Sequence, residues 1–422
     1  MEDLDRRVAA HVAIVGAGYA GMAAAVTLAE RGIPVTVFES GQVPGGRARR
    51  IPVSSYGQGN ELDNGQHILV GAYTELFRLM RTVGVPSDAL MRIPLEIRYV
   101  SGFSFRKLWF PPPLDLLGGL LAARGIPLRE RLGAVKFIFQ LRRQSFRLQP
   151  DITVDELLKL HRQDGRIGHF LWRPLCVSAL NTPSAQASAN AFLAALRDTL
   201  LGDGEASDLL LPRVDLSRLF PEPAMEFLLK KGNEVRLRHP VQSVHELRSQ
   251  FSAVIVAVGP HQLKALLPEL APDYSYQPIN TCYLQYSPGV KLAFPMLGLA
   301  DGLVQWVFDR GALTGEKGLL AAVISAQGDH QQMTQDELAE TCHRELRAAN
   351  LVKEKPVWMR VIAEKRATIS CTPGVKRPDT ATRFPGIFLA GDYTDPEYPP
   401  TLEAAVRSGV RAAEHALMEN RP

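Results

Sequence analysis

Residues 11–50 read HVAIVGAGYAGMAAAVTLAERGIPVTVFESGQVPGGRARR, and this stretch decides the fold. Val12 to Val15 is a short β-branched run of the kind that forms a buried strand. Gly16, Gly18 and Gly21 follow as G-x-G-x-x-G, with Tyr19 and Ala20 filling the gap, where the chain turns into a helix. Ala24, Ala25 and Leu28 continue that helix, and Gly32 stands just past its end, where a C-cap glycine belongs. A second strand, Val35 to Phe38, then delivers Glu39, 18 residues after Gly21. Each glycine has a physical reason. Gly16 permits the tight turn, Gly18 the close approach of a pyrophosphate, and Gly21 the packing of helix on strand. The helix N-terminus offers N–H groups and a positive dipole end to that pyrophosphate, and Glu39 can accept hydrogen bonds from ribose hydroxyls. Strand, glycines, helix, strand and acid in register predict an α/β dinucleotide-binding domain of Rossmann-like type. The uncharged run Val12 to Ala29 is long enough to imitate a membrane span. The glycine spacing and the acidic start Met1-Glu2-Asp3 argue against a span or a signal peptide.

Gly45-Gly46-Arg47 follows Glu39 closely, and Phe388-Leu389-Ala390-Gly391-Asp392 with Thr401-Leu402-Glu403-Ala404-Ala405 stands near the far end. Between them, Phe251 to Pro260 is a buried strand ending in Gly-Pro, preceded by Val235 to Val244. These pieces resemble the flavoprotein superfamily of amine oxidases, protoporphyrinogen oxidases and carotenoid desaturases. The resemblance implies non-covalent FAD in a glutathione-reductase-like, amine-oxidase-type domain, with an α+β substrate domain beside it. It implies that Gly45, Gly46 and Arg47 run beside the diphosphate and the flavin, and that the Val241 backbone holds the adenine. Gly391 and Asp392 meet the ribityl or pyrophosphate region, and the helix starting near Thr401 and Leu402 aims its N-terminus at the flavin pyrimidine. A reduced flavin is anionic near N1, so a helix N-terminus suits it. Ala404 departs from the superfamily, which has glycine there.

With 422 residues the chain exceeds what one core usually holds, so two domains are expected. The cofactor pieces occur at the start, middle and end, which makes the FAD domain discontinuous: 1–75, 218–268 and 384–422. The intervening 76–217 and 269–383 form the substrate domain. The first of these reads as largely helical, with helical spacing over Thr74 to Val83, Arg129 to Arg147, Val154 to Arg162 and Ala187 to Leu201. The second alternates over Thr281 to Tyr286 and Leu303 to Phe308, as an antiparallel sheet would, before a helix from Gln335 to Ala349.

The composition is that of an ordinary globular protein, 46% hydrophobic and 22% charged. A net charge of +4 gives no reason to expect a nucleic-acid partner. Cys176, Cys282, Cys342 and Cys371 are scattered without C-x-x-C, as in reduced cytoplasmic proteins, and no His or Cys spacing suggests a metal. One segment is unlike the rest. From Arg98 to Arg147 ten basic residues face only Asp115 and Glu130, a net charge of +8, interleaved with Phe103, Phe105, Trp109, Phe110, Phe137, Phe139 and Phe146. That pattern fits peripheral contact with the inner face of a membrane; a solvated face over the substrate domain's own core is the alternative.

Interior motifs narrow the family. Asp63-Asn64-Gly65-Gln66-His67, Trp172-Arg173-Pro174-Leu175-Cys176, Ala179-Leu180-Asn181-Thr182-Pro183 and Gln305-Trp306-Val307-Phe308-Asp309-Arg310 resemble the bacterial squalene-associated FAD-dependent desaturases. Enzymes of that group act as hydroxysqualene dehydroxylases in hopanoid biosynthesis. The resemblance implies a hydrophobic C30 isoprenoid substrate and reductive removal of an allylic hydroxyl, with hydride from flavin N5. Hydroxide leaves poorly, so a general acid is needed; His67 is the first candidate catalytic residue, with Asp63 orienting it, unless both are simply satisfied within their turn. With one nucleotide fingerprint, reducing equivalents come either from NAD(P)H bound transiently or from another protein. The rival readings are carotenoid (phytoene-type) desaturation, amine oxidation, and a non-catalytic prenyl-binding protein like the Rab escort and GDP-dissociation-inhibitor proteins. Thr401 at the place of one aromatic-cage wall argues against amine oxidation, and the intact glycines with Glu39 argue against a cofactor-free carrier.

Overall fold

The computed structural model describes residues 11–51 and 62–419, so Met1-Glu2-Asp3 lies outside the described residues. A five-stranded parallel sheet runs in the order Glu234–Arg236, Val35–Phe38, Val12–Val15, Ala253–Val256, Ile387–Leu389. Three separated parts of the chain therefore build one sheet. Its strands are short apolar runs because both faces are covered. Val12, Ile14, Val35, Val37, Ala253 and Ile255 point to one face, and Ala13, Val15, Val254 and Val256 to the other, into separate cores.

On the first face lies helix α1 (Tyr19–Glu30), eleven of whose residues are buried. Small side chains let the C-terminal helix, Leu402–Glu419, cross it closely: a Cβ on Gly409 would overlap the Ala20 carbonyl oxygen. Helix α2 (Thr74–Thr82) packs on the same pair, and Leu76, Leu79, Met80 and Ala89 join the core of the parallel sheet. From the cofactor motifs alone these residues belong to the substrate domain, which starts at 76. The apolar stripe of α2 instead turns towards the C-terminal helix, whose Glu403 carboxylate accepts from the Glu75 and Leu76 amides.

The second body rests on an antiparallel sheet in the order Met296–Gly298, Trp306–Asp309, Leu319–Ser325, Tyr276–Gln285, Trp358–Ile369. Alternation again sorts its faces. Cys282, Leu284, Val307 and Leu320 pack under the helix Gln335–Ala348, whereas Tyr283, Trp306, Phe308 and Val323 join the largest core with the helices of 114–201. Those helices include α3 (Leu114–Ala122) and α4 (Leu128–Arg143).

The stretch 76–217 is less helical than its spacing suggests. Leu209–Pro212 is a buried strand between Leu69–Val70 and Leu90–Ile93, and Glu96–Arg98 pairs with Ser104–Arg106. A fully apolar run such as Leu209-Leu210-Leu211 carries no period, so spacing cannot separate strand from helix there. Leu303 and Val304 also leave the strand expected over Leu303 to Phe308, because their amides donate to the Glu345 carboxylate. Among the described residues, no helix is long and apolar enough to cross a membrane.

Candidate functional site

One cavity of about 1470 Å³ runs between the two bodies, larger than the ~300–1,000 Å³ of most small-molecule sites. At one end it is walled by the parallel sheet's loops. Gly16 leaves the first strand with φ +105°, and a Cβ there would come 2.6 Å from the Ala257 carbonyl oxygen. Gly18 caps α1 without a side-chain bond and no acid stands in the first turn, so the helix N-terminus is left for an anion. Gly45 and Gly46 fold against Gly18, with the Gly45 amide donating to the Ala17 carbonyl at 2.8 Å. Glu39 accepts from the amides of Ala17 at 2.8 Å and Gly41 at 2.6 Å. A carboxylate has about four acceptor positions, which leaves room for ribose hydroxyls.

Gly16, Gly18, Tyr19, Ala20, Glu39, Gly45, Gly46, Arg47, Val241, Gly391, Asp392, Thr401 and Leu402 all line this cavity. Gly21 does not; it sits behind the loop, where a Cβ would collide with the Gly16 carbonyl. Ala404 is fully buried inside its helix and does not reach the lining. Arg47 donates to Asp392 at 2.6 Å and to the Ala367 carbonyl at 2.7 Å, closing the ring of cofactor-side residues from opposite ends of the chain. The cradle fits a dinucleotide flavin: two glycine turns free of side chains, an uncapped helix end, and an acid at the ribose position.

Beyond Arg47 the lining becomes apolar. Leu95, Ile97, Leu116, Leu120, Ile138, Phe192, Leu196, Met296 and Phe308 form a chamber relieved by few polar groups, among them Ser178, Thr199 and Ser325. His67 lines the same cavity, close enough to Arg47 to feel its charge. Its Nδ1 lies 3.0 Å from the Gly65 carbonyl, which can only accept, so Nδ1 carries the proton and Nε2 the lone pair of the neutral ring. Burial, with Arg47 adding to it, holds the imidazole below its ordinary pKa against the pull of that bond.

Asp63 does not take the orienting position expected from its place in the motif. Its carboxylate does not line the cavity or touch His67; it accepts from the Leu216 amide at 2.8 Å and lies 3.4 Å from Arg310. The strand Leu62–Asp63 turns the side chain inward, and the same residue's carbonyl accepts from the Tyr283 hydroxyl. Asp63 therefore anchors the loop and does not orient the imidazole. Arg310 carries no chemical signal in the sequence beyond closing its motif, yet it belongs to this site. It donates to Gln66 Oε1 at 3.3 Å and pairs with Glu316 at 3.0 Å, so it supports the 63–67 loop from behind. Asn64 completes that support, bonding the Arg47 carbonyl at 2.9 Å and Glu364 at 3.0 Å.

Comparison with known proteins agrees with this geometry. A family model described as flavin containing amine oxidoreductase matches residues 19–417. A hydroxysqualene dehydroxylase of Sinorhizobium fredii is 31% identical, the match covering 97% of this chain and 99% of that protein. A zeta-carotene desaturase of Synechocystis is 25% identical over 96% of this chain and 97% of its own length. Among solved structures, an oxidoreductase from Methanosarcina mazei superposes with a TM-score of 0.72 at 14% identity, covering 96% of this chain and all of that one. The last likeness speaks for the fold alone.

Proposed function

The chain belongs to the flavin containing amine oxidoreductase family, and from that membership we propose an FAD-dependent enzyme that removes the allylic hydroxyl of hydroxysqualene to give squalene and water. The observation that carries the reading is the continuity of one cavity, from dinucleotide cradle to apolar chamber, with His67 in its wall near Arg47. Bound non-covalently in the cradle, a reduced flavin supplies the hydride that takes the place of the departing oxygen. NAD(P)H is the proposed external reductant.

The residues around the substrate bind it, exclude water and deliver a proton. The apolar wall takes up a C30 chain, each methylene gaining about 0.8 kcal/mol on leaving water, and keeps water from the breaking C–O bond. The few polar groups suit a ligand that is hydrocarbon except for one hydroxyl. That oxygen must gain one proton to leave as water, and His67 supplies it from Nε2 when the ring is protonated. The Gly65 carbonyl holds Nδ1–H and so fixes which nitrogen is presented.

A second reading, carotenoid desaturation, is favoured by the Synechocystis relative and would use the same chamber. Offering hydroxysqualene to the protein with its flavin reduced, and phytoene to the protein with its flavin oxidised, tests both. Squalene from the first with no desaturated product from the second supports the proposal; the reverse overturns it.

A further inference from the structure

Of the eight aromatics between Arg98 and Arg147, Tyr99, Phe103, Phe105, Phe137 and Phe146 are buried, and Trp109, Phe110 and Phe139 are not. Trp109 is fully exposed, and Leu114, Leu121, Leu128 and Leu132 lie open beside these three. Helix α4 shows how they are arranged. At ~100° per residue, Leu128, Leu132 and Phe139 fall within about 40° of one line along its outer face. Arg131 and Arg142 flank that line on one side, and Arg129, Lys136 and Arg143 on the other. The inner face carries Ala134, Phe137, Ile138 and Leu141, all buried. Helix α4 is thus apolar on two opposite sides, which a helix packed on one core does not need. Helix α3 is built alike: Leu116 and Leu120 line the cavity while Leu114 and Leu121 face outward, and it packs on α4 through the bond from Arg131 to the Leu121 carbonyl at 2.6 Å.

We propose that the outer face of α3 and α4, with Trp109 and Phe110, docks on an anionic lipid bilayer, and that these two helices are the partition across which the substrate passes from lipid to cavity. The entry route rests on the reading of the chamber as a hydrocarbon site; the docking does not. Charge complementarity argues for the occupant. An apolar stripe bordered on both sides by basic residues matches acyl chains below and anionic headgroups around them, whereas a second copy of this chain would set like charges against each other.

The experiment is flotation of the flavin-loaded protein with vesicles of phosphatidylcholine alone or of phosphatidylcholine with phosphatidylglycerol. Two variants accompany it: Leu132→Glu with Phe139→Glu, and Arg129→Glu with Lys136→Glu and Arg143→Glu. All five positions are off the cavity lining, so both variants should keep their flavin spectrum and their turnover of substrate presented in detergent micelles. The expected result is binding to the anionic vesicles that falls ~tenfold or more in either variant. Absence of flotation overturns the proposal, as does flotation that neither variant weakens. A dimer dissolved by Leu132→Glu with Phe139→Glu, without lipid binding, would assign the face to a second copy instead. Failure of the wild type to turn over substrate in micelles, with flotation intact, would count against the proposed reaction and leave the docking standing.

Discussion

The Arg310 guanidinium lies 3.4 Å from the Asp63 carboxylate, and both side chains are withdrawn from solvent. Arg310 also holds Glu316 and the Gln66 side chain, so one buried cation ties the sheet strand Trp306–Asp309 to the loop that carries His67. Removing one partner of a buried ion pair leaves the others uncompensated and typically costs ~3–5 kcal/mol. Arg310→Met is therefore expected to destabilise the protein by that amount in chemical denaturation. An unchanged midpoint would show that the network contributes nothing net.

The same pair has a pH signature. Burial pushes the Asp63 carboxyl up from 3.8 to about 6, with Arg310 pulling in the opposite direction. Between those values the folded protein keeps a proton that the unfolded chain has released. The contribution of Asp63 to stability thus declines as pH rises through that window and is level on either side of it. Compared with wild type, Asp63→Asn should show a flatter dependence of denaturation midpoint on pH from about 4 to 6.

For His67 the expectation concerns rate. Its ring is held below the ordinary value of 6.5, so the protonated form that can act as an acid is lost as pH rises through a still lower pH. If proton donation by His67 limits turnover, kcat falls about tenfold per pH unit above that point. His67→Asn should lower kcat by ~10²–10⁴-fold and abolish that limb, with the flavin spectrum unchanged. A variant with full activity and the same pH profile would remove His67 from the mechanism.

At Gly21 the issue is space. Any Cβ there meets the Gly16 carbonyl, in the turn below the proposed pyrophosphate site. Gly21→Ala should cost ~1–3 kcal/mol of stability through overpacking, and the purified variant should carry less flavin per chain than wild type by absorbance.

What the chain discloses by itself depends on how local each signal is. The strand, glycine turn and helix of 12–30 are readable because every element is specified by neighbours in sequence, down to the positive φ of Gly16. The Arg47–Asp392 pair joins residues 345 positions apart, and no spacing rule reaches that far. Asp63 misleads because a charged residue four positions before a histidine looks like its partner, whereas a strand sends the side chain inward to a residue 247 positions away. In 98–147 the composition is informative and the faces are not. Phe137 and Phe139 differ by ~200° around α4, and one is in the core while the other is exposed.

On the proposed function, a flavin held by this cradle reduces an isoprenoid alcohol in the adjoining chamber. The most direct test of this claim is a single-turnover experiment without oxygen, in which the fully reduced protein is mixed with hydroxysqualene while flavin absorbance and extracted lipid are followed together. The expected result is flavin reoxidised in step with the appearance of one squalene per flavin. Flavin that stays reduced, or is reoxidised without squalene, would contradict the claim.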